Sequence, residues 1–158
     1  NFSKLLKTKE EQRQVSHDEV YTVAIVTTKE ISEKIDLVLK VEEILGLENI
    51  KLYKYRPFSK TDIISYKFFT EKDFNWKGKI KSQRLHHFCE EPFDLLIAYF
   101  HQPNLYAECV VLNSNAAFKV GFAKVNQALF DIEISEHPYQ VDRFLTELKK
   151  YLGTLKKL

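Results

Sequence analysis

Two apolar runs dominate the pattern of hydrophobic and polar positions along the chain. Residues 20–28 (VYTVAIVTT) and residues 93–100 (FDLLIAYF) are apolar at most positions, and many of these side chains are β-branched or aromatic. A strand that is apolar on both faces is typical of the centre of a parallel sheet, where helices cover both sides. The two runs therefore predict two central strands.

A helical pattern follows the first run. Apolar residues recur there at helical spacing: Ile31, Ile35, Val38, Val41 and Leu45. Thr27 and Glu30 match the Thr-x-x-Glu capping box at the start of such a helix, and Gly46 suits the left-handed position at its end. A second strand is predicted at residues 49–55. Because a helix separates the two strands, we expect them to pair in parallel.

Weaker patterns complete the prediction. We expect an outer strand at 62–69, helices at 81–91, 103–113 and from about Pro138 onward, and strands at 116–123 and 129–135. Alternating strands and helices indicate an α/β fold, a three-layer sandwich with a mainly parallel sheet of about five to six strands, Rossmann-like or flavodoxin-like. We further expect an N-terminal helical extension at residues 1–15 and a single α/β domain at residues 16–158.

Composition limits the location and the partners. The chain of 158 residues is 44% hydrophobic with a net charge of only +2, so its total charge does not favour a nucleic-acid partner. Cys89 and Cys109 are expected to be buried free thiols, which suit a reducing compartment. The amino end lacks the apolar segment of a signal peptide, and no run approaches the roughly 20 apolar residues that span a bilayer. We therefore expect a cytoplasmic protein without a membrane partner.

Polar residues follow both predicted central strands. They are the candidate ligand-binding residues: Thr27, Thr28 and Lys29 after the first strand, and His101, Gln102 and Asn104 after the second. Ligands of parallel sheets bind at the carboxyl ends of the strands. Backbone N–H groups and a lysine can hold a phosphate there, and a histidine can act as a general base near neutral pH. The alternatives are a capped helix without a ligand and a surface histidine beside a turn.

Several chemistries lack their motif. The sequence contains no glycine-rich dinucleotide fingerprint, no GxxxxGK[ST] and no GxSxG, so we predict no cofactor and no catalytic residues. His86, His87 and Cys89 lack the second pair of ligands that a zinc site needs, so we predict no metal. Asp131 and Glu133 alternate along a predicted strand, and we interpret them as the solvent-facing side of an edge strand.

The only tryptophan lies in the stretch KDFNWKGKIK, residues 72–81, among four lysines. An extended strand would point Phe74 and Trp76 to the same side, where we expect them to pack against the edge of the sheet, with Gly78 at a turn. The alternative is a ligand-binding role of Trp76. Its ring would then stack on the bases of single-stranded nucleic acid while the lysines contact phosphates.

Five short sequence motifs occur in order along the chain: KDFNWKGKIKS, FDLLI, NAAFKVGF, FDIEI and FLTELKKYL. Together, over roughly residues 20–155, they resemble an uncharacterised bacterial family of small Rossmann-like proteins, a domain of unknown function. Residues 93–123 are also faintly similar to a strand–helix–strand segment in the acceptor half of heptosyltransferase-like glycosyltransferases. The resemblance implies a fold but no established activity, so it assigns no functional residues.

Three functions stay open on these observations. The first is a non-catalytic binding or adaptor domain, with a protein partner or with self-association through the terminal helices. The second is a small hydrolase or transferase that acts on a phosphorylated or sugar-containing small molecule in the crevice between the two polar loops. The third is a weak single-stranded nucleic-acid binder that uses Trp76, although the total charge makes nucleic acid an unlikely partner.

Overall fold

The structure is a computed structural model that describes residues 19–62 and 67–158. The predicted helical extension at residues 1–15 lies outside the described residues. Within them, six strands form one sheet: β1 (Thr22–Thr28), β2 (Asn49–Tyr55), β3 (Phe68–Phe69), β4 (Leu95–Tyr99), β5 (Phe118–Phe122) and β6 (Ile132–Ile134). The strand order across the sheet is β3-β2-β1-β4-β5-β6, and every neighbouring pair is parallel.

The described residues also contain five α-helices: α1 (Lys29–Lys34), α2 (Leu37–Leu45), α3 (Gln83–Glu90), α4 (Leu105–Asn113) and α5 (Val141–Thr154). Helix α2 packs against α5, and α3 packs against α4. Crossovers between parallel strands are right-handed, so the helices between β1 and β2 lie on the face opposite to the helix between β4 and β5. The predicted three-layer α/β sandwich with its parallel sheet is therefore confirmed, with six strands.

The two apolar runs are the centre of the sheet, as predicted. All five residues of β4 and five consecutive residues of β1 are buried. Cys89 and Cys109 are buried free thiols, also as predicted. No helix in the described part of the chain is long and apolar enough to cross a bilayer.

The single helix predicted after β1 is instead two helices. Ile35 has an extended backbone (φ −134°, ψ 127°), and the carboxylate of Asp36 accepts a hydrogen bond from the N–H of Leu39 at 3.1 Å, so a second helix begins there. Aspartate is a favoured helix-capping residue because its side chain satisfies an otherwise unpaired N–H group. Gly46 ends this second helix with φ 69°, which confirms the left-handed conformation predicted for it.

The capping box predicted at Thr27 and Glu30 is wrong. Thr27 is a fully buried residue of β1, and its hydroxyl donates a hydrogen bond to the carbonyl oxygen of Tyr99 at 2.6 Å. The strand continues because β4 still offers a partner at this level, where Thr27 lies opposite Tyr99. Thr28 is the residue before the helix, and its side chain makes no capping hydrogen bond.

The two edges of the sheet differ from their predictions in detail. Of the outer strand predicted at 62–69, the structure shows only β3; Asp62 lies in a turn, and residues 63–66 are outside the described residues. Strand β6 is the opposite edge, and Glu133 is exposed on it as expected. Asp131, however, precedes this strand, and its carboxylate accepts the N–H of Lys119 at 2.7 Å. It therefore ties β6 to β5, because a carboxylate binds a backbone donor strongly.

Candidate functional site

The crevice between the loops after β1 and β4 is the candidate functional site. Strands β2 and β3 lie on one side of β1, and strands β4, β5 and β6 lie on the other side. The direction in which strands are added therefore reverses between β1 and β4. In open parallel sheets, ligands bind outside the carboxyl ends of the strands at such a reversal, the switch point. A cavity of about 200 Å³ lies there, and we call it the switch-point crevice.

Most of the candidate residues predicted from the sequence meet at this crevice. Five of them contribute to its walls: Thr28, Lys29, His101, Gln102 and Asn104. Two loops that are more than 70 residues apart in the sequence thus come together, because β1 and β4 are hydrogen-bonded neighbours in register. Thr27 is not in the walls, since its side chain is buried against β4.

Lys29 supplies a positive charge at the mouth of the crevice. Its ammonium nitrogen lies 3.7 Å from the carboxylate of Glu33, one helical turn along α1. The Lys29 side chain is 50% exposed and the Glu33 side chain is 60% exposed. An exposed pair of this kind contributes about 0.3–0.5 kcal/mol. The ion pair is therefore weak enough for an anionic ligand to compete with Glu33 for the lysine.

Within the described part of the chain, His101 is the residue of the crevice wall that has a buried polar atom without a partner. Its Nδ1 atom is buried and has no hydrogen-bond partner among the described residues. Leaving a buried polar atom unpaired costs about 1–3 kcal/mol, so such atoms call for a partner. His101 lines the crevice, and this nitrogen, which has no accessible surface in the present ring orientation, reaches a bound molecule once the ring turns.

Asn104 has a structural role instead. Its side-chain oxygen accepts the N–H of Ala107 at 2.9 Å, and its own N–H donates to the carboxylate of Glu108 at 2.9 Å. These two bonds cap the start of α4 reciprocally. Its amide oxygen is therefore engaged, whereas Gln102 beside it is exposed.

Tyr55 is a wall residue that the sequence did not single out. Its hydroxyl donates to the carboxylate of Glu71 at 3.2 Å, and its ring stacks on Tyr106 with 5.4 Å between ring centroids. Burial, together with the negative charge of Glu71, raises the pKa of Tyr55 to about 12. Tyr55 is the last residue of β2, so it lies at the carboxyl end of a strand. This position in the sequence is the feature that could have identified it as a candidate ligand-binding residue.

Taken together, the crevice offers hydrogen-bond donors, one mobile positive charge and one imidazole, but few acidic groups. Glu30 is the carboxylate in its walls. No group of three or more His, Cys, Asp or Glu residues within 19–62 and 67–158 is arranged to hold a metal ion. The arrangement suits a small molecule with a phosphate or carboxylate group, because such groups accept hydrogen bonds from both Lys29 and His101.

The packing role predicted for Trp76 is wrong. Phe74 is buried, but the side chain of Trp76 is 90% exposed. Residues 75–79 form a turn rather than a strand, with Gly78 at φ 80°, and the turn breaks the alternation that would have pointed both rings inward. Phe74 packs the stretch against the core, next to Tyr106 and Phe69, and Ile80 is partly buried against the same core. Trp76 is also not among the residues that line the switch-point crevice.

Comparison with known proteins identifies a family but no relative of known activity. No curated protein matches the chain. No solved structure matches it either. A family of unknown function, DUF6913, matches residues 1–155, which is nearly the whole chain. The chain therefore belongs to the DUF6913 family.

Proposed function

We propose that this protein is a non-catalytic binding domain that holds a small anionic molecule in the switch-point crevice. The observation that carries the proposal is the buried Nδ1 atom of His101, which lacks a partner in the described part of the chain and lies in the same cavity wall as Lys29. Once the ring turns toward the crevice, a ligand oxygen that accepts a hydrogen bond from this nitrogen would remove the free-energy penalty of an unpaired buried atom.

The volume of the cavity supports a compact ligand. About 200 Å³ is below the range of about 300–1,000 Å³ that encloses drug-sized molecules. A phosphate or carboxylate group with a small polar body fits this volume, whereas a dinucleotide does not. The first loop also lacks the glycines that let the backbone approach a pyrophosphate.

Binding to defined probes tests the proposal. Thermal unfolding and calorimetry are measured with inorganic phosphate, a hexose phosphate and a mononucleotide. We expect at least one of them to stabilise the fold by about 1.4 kcal/mol at a concentration of about ten times its Kd. Lys29→Ala and His101→Gln are expected to remove this effect. Lys150→Ala removes a lysine with a similar exposed helical ion pair, to Glu147 at 3.8 Å, and should leave binding unchanged.

A hydrolase or transferase that acts on a phosphorylated or sugar-containing small molecule is the second candidate. The imidazole of His101 and the carboxylate of Glu30, which share the crevice, favour it. Release of phosphate from a probe that also binds, lost in His101→Gln, would replace the non-catalytic proposal by this one.

Adaptor activity through the terminal helices stays a prediction. The two free thiols support a reducing compartment such as the cytoplasm as the place where the domain acts.

A further inference from the structure

The small net charge of the chain conceals a strong separation of charge. Residues 51–84 contain ten Lys and Arg residues but three Asp and Glu residues, a local charge of +7. The whole chain has 24 basic and 22 acidic residues. Outside residues 51–84 it therefore has 14 basic and 19 acidic residues, a charge of −5. A basic region of this size raises the local concentration of polyanions, whatever the total charge of the protein.

The fold gathers this charge at one edge of the sheet. The described residues of this segment, 51–62 and 67–84, form most of β2, all of β3, the following turns and the start of α3. We call the basic strip the lysines along this edge: Lys51, Lys54, Lys67, Lys72, Lys77 and Lys79. Two of the three acidic residues pair within the segment, Asp62 with Arg56 and Asp73 with Arg84. The third, Glu71, accepts hydrogen bonds from the hydroxyl of Tyr55 and the N–H of Phe58. Within the strip, Lys51 has an exposed ion pair with Glu91 at 2.9 Å.

Four of the six lysines of the basic strip line a groove. One concave surface of about 660 Å³ is lined by Lys51, Lys54 and Lys67, and a second of about 500 Å³ is lined by Lys72 and Phe58. The two surfaces share Arg84 and His87, so they adjoin. The result is a continuous groove along the sheet edge, and its lining of five basic and three acidic residues carries a net charge of +2.

Trp76 lies on an ordered turn, three residues after Asp73, which lines the groove. The side-chain oxygen of Asn75 accepts the N–H groups of Lys77 at 2.9 Å and Lys79 at 3.0 Å, and the N–H of Asn75 donates to the carbonyl oxygen of Lys79 at 2.8 Å. Gly78 permits the turn, because its φ of 80° is a conformation that glycine adopts readily. The indole is therefore presented to solvent by a hydrogen-bonded scaffold, with the ammonium of Lys77 at 5.1 Å from its centroid.

We propose that the basic strip and Trp76 bind single-stranded nucleic acid. The lysines contact the phosphates, and an unpaired base stacks on the indole, the combination that binds single strands without sequence preference. Phe58, which is 44% exposed beside Lys72, offers a second ring. The site goes beyond the function proposed for the switch-point crevice and does not depend on it.

The shape of the groove favours a strand over the other polyanions. An anionic bilayer is nearly flat at this scale, so it would meet the indole and the two lysines of its turn but not the concave surface that Lys51, Lys54 and Lys67 line. A duplex keeps its bases stacked, so it would leave the exposed rings without partners. A single strand is narrow enough to enter the groove and has free bases for the rings.

The lone tryptophan makes the test direct, because all indole emission of the protein comes from Trp76. Emission is recorded while the full chain is titrated with a thymidine oligonucleotide of about ten nucleotides, a length within the usual site sizes. We expect saturable quenching. With about four phosphate contacts, the affinity should fall about 50-fold between about 50 and 200 mM salt.

Variants distinguish binding at the basic strip from non-specific attraction to the charge of the protein. A labelled oligonucleotide reports binding by anisotropy, and we expect Trp76→Ala to weaken it about tenfold. The pair Lys72→Ala and Lys77→Ala should weaken binding and flatten the salt dependence. The control pair Lys149→Ala and Lys150→Ala removes the same charge from α5 and should have little effect.

Three results would overturn the proposal. One is an unchanged indole spectrum at low salt. Another is an equal loss of affinity in the strip pair and the control pair, which would indicate a response to net charge alone. The last is stronger quenching by phosphatidylserine vesicles than by the oligonucleotide, which would assign the surface to a membrane. Thermal unfolding controls for folding, and the exposed Trp76 should be replaceable without loss of stability.

Discussion

Hydrogen bonds between Asp94 and Thr22 hold together the two central strands of the sheet. One carboxylate oxygen accepts the N–H of Thr22 at 2.9 Å and its hydroxyl group lies at 3.2 Å, while the N–H of Asp94 donates to that hydroxyl at 3.0 Å. The same oxygen accepts the N–H of Tyr21 at 2.8 Å. The contact sets the register of β1 and β4, whose opposite ends carry the switch-point crevice.

Removal of this contact should loosen the centre of the sheet. Asp94→Ala is expected to lower the free energy of unfolding by about 3 kcal/mol, because hydrogen bonds to a charged acceptor contribute about 1.5–3 kcal/mol. Asp94→Asn keeps an acceptor oxygen and should lose about 1 kcal/mol. Urea unfolding measures both variants, and Glu90→Ala, an exposed carboxylate, is the control. A loss in Asp94→Ala no larger than in the control would contradict this role.

Gly121 lies in β5 directly under the ring of Phe130. A Cβ atom at this position would come within 2.2 Å of the ring, so the ring or the strand would have to move. We expect Gly121→Ala to lower the free energy of unfolding by about 1–3 kcal/mol, as overpacking of a core does.

Gly153 provides the matched substitution. It lies within α5 and has open space around it, so Gly153→Ala should raise the free energy of unfolding by about 0.5–1 kcal/mol through helix propensity. Thermal or urea unfolding compares the two variants. Equal effects of the two substitutions would show that the ring of Phe130 does not limit the space at Gly121.

The thiol of Cys109 should be unreactive in the native protein. Burial raises the pKa of Cys109 to about 11, against a weaker opposing effect of the hydrogen bond from Asn113. At pH 8 only about one thiol in a thousand is then a thiolate, and the thiolate is the reactive form. We expect labelling by a disulfide reagent to be at least about 100-fold slower in the native state than in urea. A fast-reacting thiol in the native state that is lost in Cys109→Ala would contradict the burial.

The same pKa implies a pH dependence of stability. Because the folded pKa lies above the unfolded value of about 9, the folded state holds the proton more tightly. Its stabilising contribution is complete below about pH 9 and is lost as the pH rises toward about 11. Urea unfolding between these pH values should therefore show a smaller decline in Cys109→Ala than in the unmodified chain. Parallel declines would contradict this contribution.

The ion pair of Asp73 and Arg84 closes the loop that carries Trp76. Their side chains are only 9% and 16% exposed, and the guanidinium is 3.1 Å from the carboxylate and also donates to the carbonyl oxygen of Phe68 at 2.6 Å. We expect Asp73→Ala to lower the free energy of unfolding by about 3 kcal/mol, since it removes the carboxylate that pairs with a mostly buried guanidinium. Glu147→Ala breaks an exposed pair instead and should lose at most about 1 kcal/mol.

Hydrogen exchange locates this effect. The N–H groups of Lys81 and Ser82 donate to the carbonyl oxygen of Asp73, so their exchange should accelerate in Asp73→Ala more than that of the amides of β4. Unchanged exchange at these two amides, together with a uniform loss elsewhere, would show that the pair does not act on the loop.

The parts of the fold that were predictable have a local signature. Burial on both faces leaves apolar runs in β1 and β4, and a left-handed helix end calls for glycine at position 46. The crevice followed from a general rule, because the carboxyl ends of neighbouring parallel strands meet at one edge. That β1 and β4 are neighbours depends instead on the strand order, for which no local pattern exists.

The errors arose where distant contacts override local patterns. Thr27 has the spacing of a capping residue, but a hydrogen bond to Tyr99, 72 residues away, keeps it in the strand. The alternation of Phe74 and Trp76 predicts a common face only as long as the strand continues, and the turn at Gly78 ends it. The basic stretch around Trp76 was visible in the sequence, but its continuation along β2 and β3 at one edge of the sheet emerged only with the strand order.

The most direct measurement of the proposed ligand site is the response of the five histidine rings to inorganic phosphate and a hexose phosphate. Imidazole resonances of the labelled protein are followed by NMR during the titration, in the unmodified chain and in Lys29→Ala. Binding in the switch-point crevice predicts a saturable shift of the His101 resonances alone, reduced in the variant. Shifts of similar size at His86, His87 and His137, or none at His101 while another part of the protein binds the ligand, would contradict it.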